Sequence, residues 1–297
     1  MRHNIENLYK YNTHVSFEVF PPKTAIGLKQ VYRTIADLKT LEPDFFSVTY
    51  GAGGSTAEKS LEIASAITNL AQVNCVAHFT CVGMNQEQVK KLLESLENHG
   101  ITNVLALRGD PPEGEKNFKA VEGGFQYASE LVHFIREHSN AGILVAGYPE
   151  GHTENPSRED DFQNLLVKVN AGADGIVTQA CFDNPYLFEF AENLDRNGVT
   201  IPLIAGIFLI SNAKQMVRII ELSGASIPDK LKKGLEKYGD SQEDMLKFGT
   251  DFVIQQVDEL IQKGILNFHF YIMNRSQQIR DILTPLKSYF PRLNFIR

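Results

Sequence analysis

The first residue that could do chemistry is Glu18, a carboxylate inside the apolar run 15–20, VSFEVF. Such a run is typical of a strand covered on both faces, where an unpaired charge is costly. Glu18 must therefore be paired or held protonated. A carboxyl group that is protonated near neutral pH is what general acid catalysis requires, whereas an ion pair with Lys23 or Arg275 would be structural.

A second carboxylate, Asp110, lies in the run 106–112, ALRGDPP. Gly109 permits close approach of the backbone to a ligand, and the two prolines end the strand abruptly. This arrangement would hold the carboxylate at the end of a strand, facing a ligand. An aspartate that caps its own turn is the structural alternative.

Two further patterns could bind a polar or anionic ligand. The segment 51–56, GAGGST, could form an anion-binding helix start with a hydroxyl residue as its N-cap, although such sequences also form plain turns. Asp161, Asn164 and Lys168 fall at i, i+3 and i+7 of one helical pattern, so they share a face. That face is either solvated or lies against a polar ligand.

The sequence predicts neither a metal site nor a disulfide framework. His78 and His152 could be metal ligands, but neither has a third ligand at helical spacing. Cys75, Cys81 and Cys181 are odd in number and form no CxxC pair, so we expect three reduced, buried thiols.

Eight short apolar, β-rich segments must position these side chains. Helix-period segments lie between them, such as Gln86–Asn98 and residues 241–264, and a final helix is predicted over 275–286. The predicted strands cover residues 14–20, 44–51, 74–83, 103–110, 142–151, 175–183, 201–210 and 267–274.

Strands that alternate with helices predict parallel strands joined by right-handed crossovers. Eight such units in 297 residues fit an α/β fold of the closed (β/α)8 type, the TIM barrel. An open doubly wound sheet is the alternative, but Pro21-Pro22, and not a GxGxxG turn, follows the first predicted strand. We expect one domain over residues 1–297, with residues 1–13 as a lead-in.

In a TIM barrel the active site is built from the carboxyl ends of the strands. Nearly every predicted strand places polar residues there, which a purely structural scaffold would not need. These residues are Glu18, Thr49, Tyr50, His78, Thr80, Arg108, Asp110, Tyr148, Glu150, His152, Gln179, Asp183, Tyr271, Asn274 and Arg275.

Composition narrows the partners and the location. The 29 basic and 36 acidic residues give a formal net charge of −7, which argues against nucleic acid and anionic membrane as partners. No apolar run approaches the roughly 20 residues of a membrane span, and the N-terminus lacks the apolar core of a signal peptide. We therefore expect a cytoplasmic protein.

Eight strings of residues, taken in order, resemble the methylenetetrahydrofolate reductase family. The resemblance runs from about residue 15 to residue 275, and eight ordered matches make it specific. The chain ends where bacterial members end, so we expect neither the regulatory domain of eukaryotic members nor inhibition by S-adenosylmethionine. The strings are SFEVFPPKT (16–24), SVTYGAGGST (47–56), HFTC (78–81), ALRGDPP (106–112), AGYPEGH (146–152), VTQACFD (177–183), GIFLISN (206–212) and NFHFYIMNR (267–275).

The resemblance implies an FAD-containing TIM barrel that reduces 5,10-methylenetetrahydrofolate to 5-methyltetrahydrofolate in one-carbon metabolism and methionine supply. In the family's ping-pong route, NADH or NADPH reduces the non-covalently bound FAD and leaves, and the folate then takes the hydride at the same face. Glu18 matches the acid that protonates the folate. Asp110 matches the carboxylate that contacts the pterin and stabilises the developing cation. The resemblance also implies a homo-oligomer.

Other site residues are implied by the same position-by-position resemblance. Flavin-contacting positions are matched by Thr49, Tyr50, Ala52, His78, Arg108, Gly109, Asp110, Tyr127, Ala128, Tyr148, His152, Asp161, Asn164 and Lys168, with Arg108, His152 and Lys168 as candidate partners of the diphosphate. Folate-side positions are matched by Glu18, Asp110, Gln179, Gln215, Tyr271 and Arg275, with Arg275 as a candidate partner of the glutamate tail. The loop 109–124 would border this site as a mobile lid.

Segments 180–182 and 205–209 differ in sequence from a bacterial member of this family. Both segments are expected to lie close to the face of the flavin where the folate and the nicotinamide bind. They bear on substrate packing and on the choice between NADH and NADPH.

Two other functions remain open. One is a related flavin-linked barrel oxidoreductase that takes electrons from a protein partner, and the other is a catalytically silent barrel subunit. The presence of both Glu18 and Asp110 argues against the silent subunit.

Overall fold

The computed structural model describes residues 13–50, 54–111, 118–155 and 157–295, with residues 54–56 described by their backbone alone. Eight parallel strands form a closed barrel in sequence order, each paired with the next and β8 paired with β1. The predicted TIM barrel is confirmed. The strands are β1 (His14–Val19), β2 (Phe45–Val48), β3 (Asn74–Thr80), β4 (Asn103–Leu107), β5 (Gly142–Gly147), β6 (Gly175–Thr178), β7 (Leu203–Phe208) and β8 (Asn267–Tyr271).

Helices surround the barrel. Three of them connect β7 to β8, whereas a simple strand–helix–strand unit has one. A π-helical turn, Ile67–Ala71, extends the second helix, and a 3-10 turn, Lys287–Tyr289, follows the last one. Among the described residues, no helix has the length and apolar character to cross a membrane. The helices are α1 (Ala25–Lys39), α2 (Gly54–Ala66), α3 (Gln86–Asn98), α4 (Ala128–His138), α5 (Arg158–Asn170), α6 (Asn184–Arg196), α7 (Ala213–Ser223), α8 (Asp229–Tyr238), α9 (Gln242–Gln262) and α10 (Ser276–Leu283).

Helix α3 shows how the local sequence sets an element's bounds. Asn85 and Gln88 form a capping box, in which each side chain accepts a hydrogen bond of 3.0 Å from the other's backbone N–H. Val89, Leu93 and Leu96 form the buried stripe. The predicted bounds of this helix are confirmed, since these signals are all local.

Every predicted strand is present, but each ends earlier than predicted at its carboxyl end. The clearest case is β6, Gly175–Thr178, where the prediction ran to residue 183. Ala180, Cys181 and Phe182 are buried although they lie outside the strand. An apolar pattern reports burial and not hydrogen bonding, so it could not separate the strand from the buried loop that follows.

The barrel interior has an apolar part and a polar part. Each strand from β2 to β7 contributes one side chain to the apolar part, which consists of Phe45, Val76, Leu105, Leu144, Val177 and Ile204. The polar part lies where β8, β1 and β2 meet and contains Ser16, Ser47 and His269, all buried. Both parts lie beneath the carboxyl end of the barrel, where the polar strand ends collect. The three cysteines are buried free thiols.

Candidate active site

A cavity of about 1050 Å³ opens at the carboxyl end of the barrel, and every strand or its following loop contributes to its wall. This size lies at the upper end of the roughly 300–1,000 Å³ that is usual for small-molecule sites. The predicted site residues that line it are Glu18, Thr49, Tyr50, His78, Arg108, Gly109, Asp110, Tyr148, His152, Gln179 and Tyr271. The closed barrel therefore gathers residues that are up to 253 positions apart in the sequence.

The other predicted site residues do not line this cavity. Asp161, Asn164 and Lys168 lie on α5, behind β5, while Tyr127 and Ala128 lie at the start of α4. Gln215 lies in the first turn of α7, and Arg275 is the exposed N-cap residue of α10. Ala52, like the rest of segment 51–53 and part of the loop 109–124, lies outside the described residues.

Glu18 lies near the end of β1 with 18% of its side chain exposed, and its titratable neighbour is His78 on β3. The Glu18 Oε2 to His78 Nε2 distance is 3.3 Å. This approach lacks hydrogen-bond geometry, so His78 Nε2 is a buried atom with no hydrogen-bond partner in the described part of the chain. The two residues form an ion pair only when the imidazole is protonated. The sequence predicted Lys23 or Arg275 as the structural partner of Glu18, and the structure instead places His78 there.

Tyr271 is the neighbour of Glu18 across the β1–β8 seam, in direct register with it. Its hydroxyl reaches across β7 and donates a 2.7 Å hydrogen bond to the carbonyl oxygen of Thr178 on β6. Gly206 makes this crossing possible, because a Cβ there would lie 2.1 Å from that same oxygen. Burial, with the nearby Glu18 carboxylate, raises the pKa of Tyr271 well above its usual value. The phenol therefore stays protonated and its ring is held in place beside Glu18.

Arg108 makes a bidentate pair with Glu154, through two hydrogen bonds of 2.8 Å. Its guanidinium also lies 4.7 Å from the centre of the Phe118 ring. The pairing lowers the pKa of Glu154 and raises that of Arg108. Asp110, close to this pair, is exposed at the cavity rim. Glu154 was missed by the sequence analysis, since no local pattern distinguishes it from a solvated surface residue.

Lys168 supplies a desolvated cation behind the cavity wall. Its Nζ donates to the carbonyl oxygen of Ala146 at 2.5 Å and lies 5.8 Å from the centre of the Tyr148 ring. Burial lowers the pKa of Lys168 to about 8, an effect that the Asp161 carboxylate partly offsets. Burial also raises the pKa of Asp161, again offset by Lys168. The predicted helix face therefore carries a carboxylate and a cation, Asp161 and Lys168, each of which stabilises the charge of the other. Lys168 lies behind the Tyr148 ring, which lines the cavity.

The cavity combines an apolar bed with unpartnered polar atoms. Leu105, Leu107 and Val177 contribute apolar surface, while Thr80 Oγ1 is buried without a hydrogen-bond partner among the described residues. Gly109 has a φ of +90°, and a Cβ there would meet Val82 at 2.8 Å. These features suit a flat heteroaromatic ring with polar edges, such as a flavin. Within the described ranges, no group of three or more His, Cys, Asp or Glu side chains could hold a metal ion.

Comparison with known proteins identifies the family. A family model described as methylenetetrahydrofolate reductase matches residues 2–287. A protein of Arabidopsis thaliana named methylenetetrahydrofolate reductase (NADH) 1 is 38% identical over 285 residues, which cover 92% of this chain and 48% of that protein. The 5,10-methylenetetrahydrofolate reductase of Escherichia coli (strain K12) is 32% identical over 264 residues, or 89% of this chain and 87% of that one. The chain thus spans about half the length of the plant relatives it matches.

Solved structures with the same fold are more distant in sequence. A Clostridium thermocellum protein, described as binding two copies of 5-methyl-5,6,7,8-tetrahydrofolic acid, aligns with a TM-score of 0.61 at 14% identity over 93% of this chain and 95% of its own. An oxaloacetate acetylhydrolase aligns with a TM-score of 0.52 at 11% identity, over 93% and 79%. At such identities these structures support the barrel fold alone. The family match and the identity to the sequence relatives extend over almost the full chain, and we conclude that it belongs to the methylenetetrahydrofolate reductase family.

Proposed function

We propose that this protein reduces 5,10-methylenetetrahydrofolate to 5-methyltetrahydrofolate, using non-covalently bound FAD and NADH or NADPH in a ping-pong reaction that supplies methyl groups for methionine. The observation that carries the proposal is Glu18, a half-buried carboxyl group 3.3 Å from His78 at the wall of the large cavity, in a chain of this family. A general acid in such a place can reach a bound amine and is shielded from bulk water.

Bound FAD would supply hydride acceptance from the nicotinamide and hydride donation to the folate. The apolar bed of Leu105, Leu107 and Val177 would hold the flat ring and exclude water beneath it. Thr80 Oγ1 and His78 Nε2, both buried without hydrogen-bond partners among the described residues, would gain partners from the ring's polar edge. Arg108 would meet a phosphate by exchanging Glu154 for it.

The two carboxyl groups on this cavity have different environments and, in this proposal, different roles. Glu18 sits lower in the wall and would donate a proton to the amine nitrogen of the folate, which opens its five-membered ring to an iminium cation. Asp110 is exposed at the rim and would stabilise that cation as a carboxylate. Tyr271, fixed by its bond to Thr178, would orient Glu18 from the neighbouring strand.

The test uses the purified protein loaded with FAD and kept without oxygen. NADH or NADPH should bleach the flavin absorbance, and methylenetetrahydrofolate should restore it. The plant relatives that carry NADH in their names support testing NADH first. Failure to bind FAD would overturn the proposal. Flavin that neither nucleotide bleaches would favour electron delivery by a protein partner instead.

A further inference from the structure

The imidazole of His269 is the largest polar group inside the barrel that the proposed reaction does not use. It is 1% exposed, and its ring stacks on Phe45 with the ring centres 5.4 Å apart. Both ring nitrogens are engaged by hydroxyl groups. Nδ1 lies 2.8 Å from Ser16 Oγ, and Nε2 lies 3.0 Å from Ser47 Oγ.

This ring occupies the core side of Glu18. Ser16 precedes Glu18 by two positions on β1, so both side chains point to the same face of the strand. Ser47 is the register partner of Glu18 on β2. A ring that spans these two hydroxyls therefore lies beneath the Glu18 side chain, on the side away from the cavity mouth.

The hydrogen bonds assign the tautomer of His269. Ser16 Oγ also lies 3.2 Å from the carbonyl oxygen of Phe268, which is an acceptor only, and a hydroxyl that gives its one hydrogen to this carbonyl accepts from the imidazole. Nδ1 is then the protonated nitrogen, and Nε2 accepts from the hydroxyl of Ser47. Burial lowers the pKa of His269 to about 4 in spite of the opposing effect of Glu18, and His78 acts in the same direction as burial.

A second buried histidine provides an internal contrast. His14, at the start of β1, is also nearly inaccessible, but its Nδ1 lies 3.0 Å from the Asp44 carboxylate. The carboxylate of Asp44 and the guanidinium of Arg292 face the His14 ring, whereas two neutral hydroxyl groups face the ring of His269. The groups that face Glu18 itself are His78 on β3 and, on β8, His269 and Tyr271.

We propose that His269 is a positioning residue for Glu18, held as the neutral Nδ1–H tautomer by Ser16 and Ser47 so that it supports the acid from below without placing a cation there. The inference rests on the proposed function, in which Glu18 must be protonated to act. A cation in this place would favour the carboxylate and so reduce the protonated fraction of Glu18. Burial of the ring against Phe45, with neutral hydroxyl groups and no carboxylate on its nitrogens, keeps that charge out of the barrel.

The decisive test compares two substitutions of His269. His269→Gln keeps a neutral, hydrogen-bonding side chain between Ser16 and Ser47, so the pH at which the folate half-reaction falls to half its maximum should stay within about 0.3 unit of the wild type. His269→Phe makes the site apolar and disfavours the carboxylate, so the same midpoint should move up by about 0.5–1 unit.

Two further measurements separate positioning from simple structural support. In both variants the reduction of the flavin by NADH or NADPH, which does not use Glu18, should stay within twofold of the wild type. His14→Phe removes a buried histidine at the other end of the barrel and should lower stability without moving the midpoint. A midpoint that stays in place in His269→Phe, or that moves equally in both variants of His269, would overturn the inference.

Histidine labelled with ¹⁵N gives a readout that needs no turnover and is independent of the proposed function. His269 should appear as a neutral ring protonated on Nδ1 at pH 6, and Ser16→Ala, which removes the acceptor of that proton, should raise the fraction of the Nε2–H form. A cationic ring or the Nε2–H tautomer in the wild type would overturn the assignment. Failure of the proposed function is reported separately, by a Glu18→Gln variant that reduces folate as fast as the wild type.

Discussion

The two ends of the barrel use carboxylates in opposite ways. At the amino end, Asp44 immediately precedes β2 and is almost fully enclosed, with 6% of its side chain exposed. It accepts the backbone N–H of Val15 at 2.9 Å and contacts His14 at 3.0 Å and Arg292 at 3.3 Å. One carboxylate thus joins two neighbouring strands and the C-terminal segment.

Asp174 repeats this device on the other side of the barrel. It immediately precedes β6 and accepts the backbone N–H of Ile143, the second residue of β5, at 2.7 Å. Arg136 of α4 donates to the same carboxylate oxygen, also at 2.7 Å. In both places the carboxylate satisfies an amide at the start of a strand and is neutralised by a cation.

At the carboxyl end, the carboxylate oxygens of Glu18 and Asp110 are free to bind a ligand. Glu18 approaches His78 without a hydrogen bond between them, and Asp110 accepts no hydrogen bond from the described residues. In TIM barrels the amino end serves stability and the carboxyl end carries the chemistry. The difference shows that the same residue type stabilises the fold where its partners are complete and can serve a ligand where they are not.

The largest effect is expected for Glu18→Gln. A glutamine keeps the size of the side chain and removes the proton donor, so the folate half-reaction should fall by roughly 10²–10⁴-fold. Bleaching by NADH or NADPH should be nearly unchanged, and stopped-flow absorbance measures both steps. A comparable fall in both half-reactions would show that Glu18 supports the fold instead of the chemistry.

The matching change at the amino end is Asp44→Ala. It removes the acceptor of the Val15 amide and the carboxylate that neutralises Arg292, so the free energy of unfolding should fall by about 3–5 kcal/mol. Urea denaturation measures this loss. Asp110→Ala is the control, since an exposed carboxylate without such bonds should change stability by less than about 0.5 kcal/mol. Equal losses of stability in the two variants would show that carboxylates at the two ends of the barrel do not differ in their contribution to the fold.

Lys168→Met should remove a pH dependence of the stability and weaken the binding of FAD. The folded-state pKa of Lys168, about 8, lies below the ordinary value of 10.5, so the unfolded chain binds more protons between those pH values. The free energy of unfolding should therefore rise from pH 8 to 10.5 in the wild type, and this rise should vanish in Lys168→Met. At pH 7 the variant should gain no stability, because it also loses the donor to the Ala146 carbonyl and the cation that offsets the burial of Asp161. A rise of equal size in the variant would contradict the desolvation argument.

The smallest effect is expected for Glu154→Gln. Glu154 is 48% exposed, and ion pairs of this kind contribute roughly 0–1 kcal/mol. Stability should change little, but freeing Arg108 should tighten FAD binding, measured by the quenching of flavin fluorescence on titration. Arg108→Gln is the matched variant and should weaken binding. If both variants bind FAD with the wild-type affinity, Arg108 has no role in holding the diphosphate.

The amino-acid sequence by itself determined the features that depend on local periodicity. It predicted eight strands, the bounds of α3, and the unusual position of Glu18 in an apolar strand. Its ordered strings also predicted the family. Strand ends were less well predicted, as at β6, because residues 180–182 are buried without belonging to the sheet.

Only the tertiary structure decided which side chains meet. His78 lies beside Glu18, and His269 lies between Ser16 and Ser47, because closure of the barrel aligns β8, β1, β2 and β3 in one register. Glu154 meets Arg108 because β4 and β5 are paired, so the segments that follow them lie side by side. Register is set by pairing between strands distant in the sequence, which no local pattern records. The sequence therefore determined which residues point into the barrel, and the closed sheet decided which of them share a hydrogen bond or a charge.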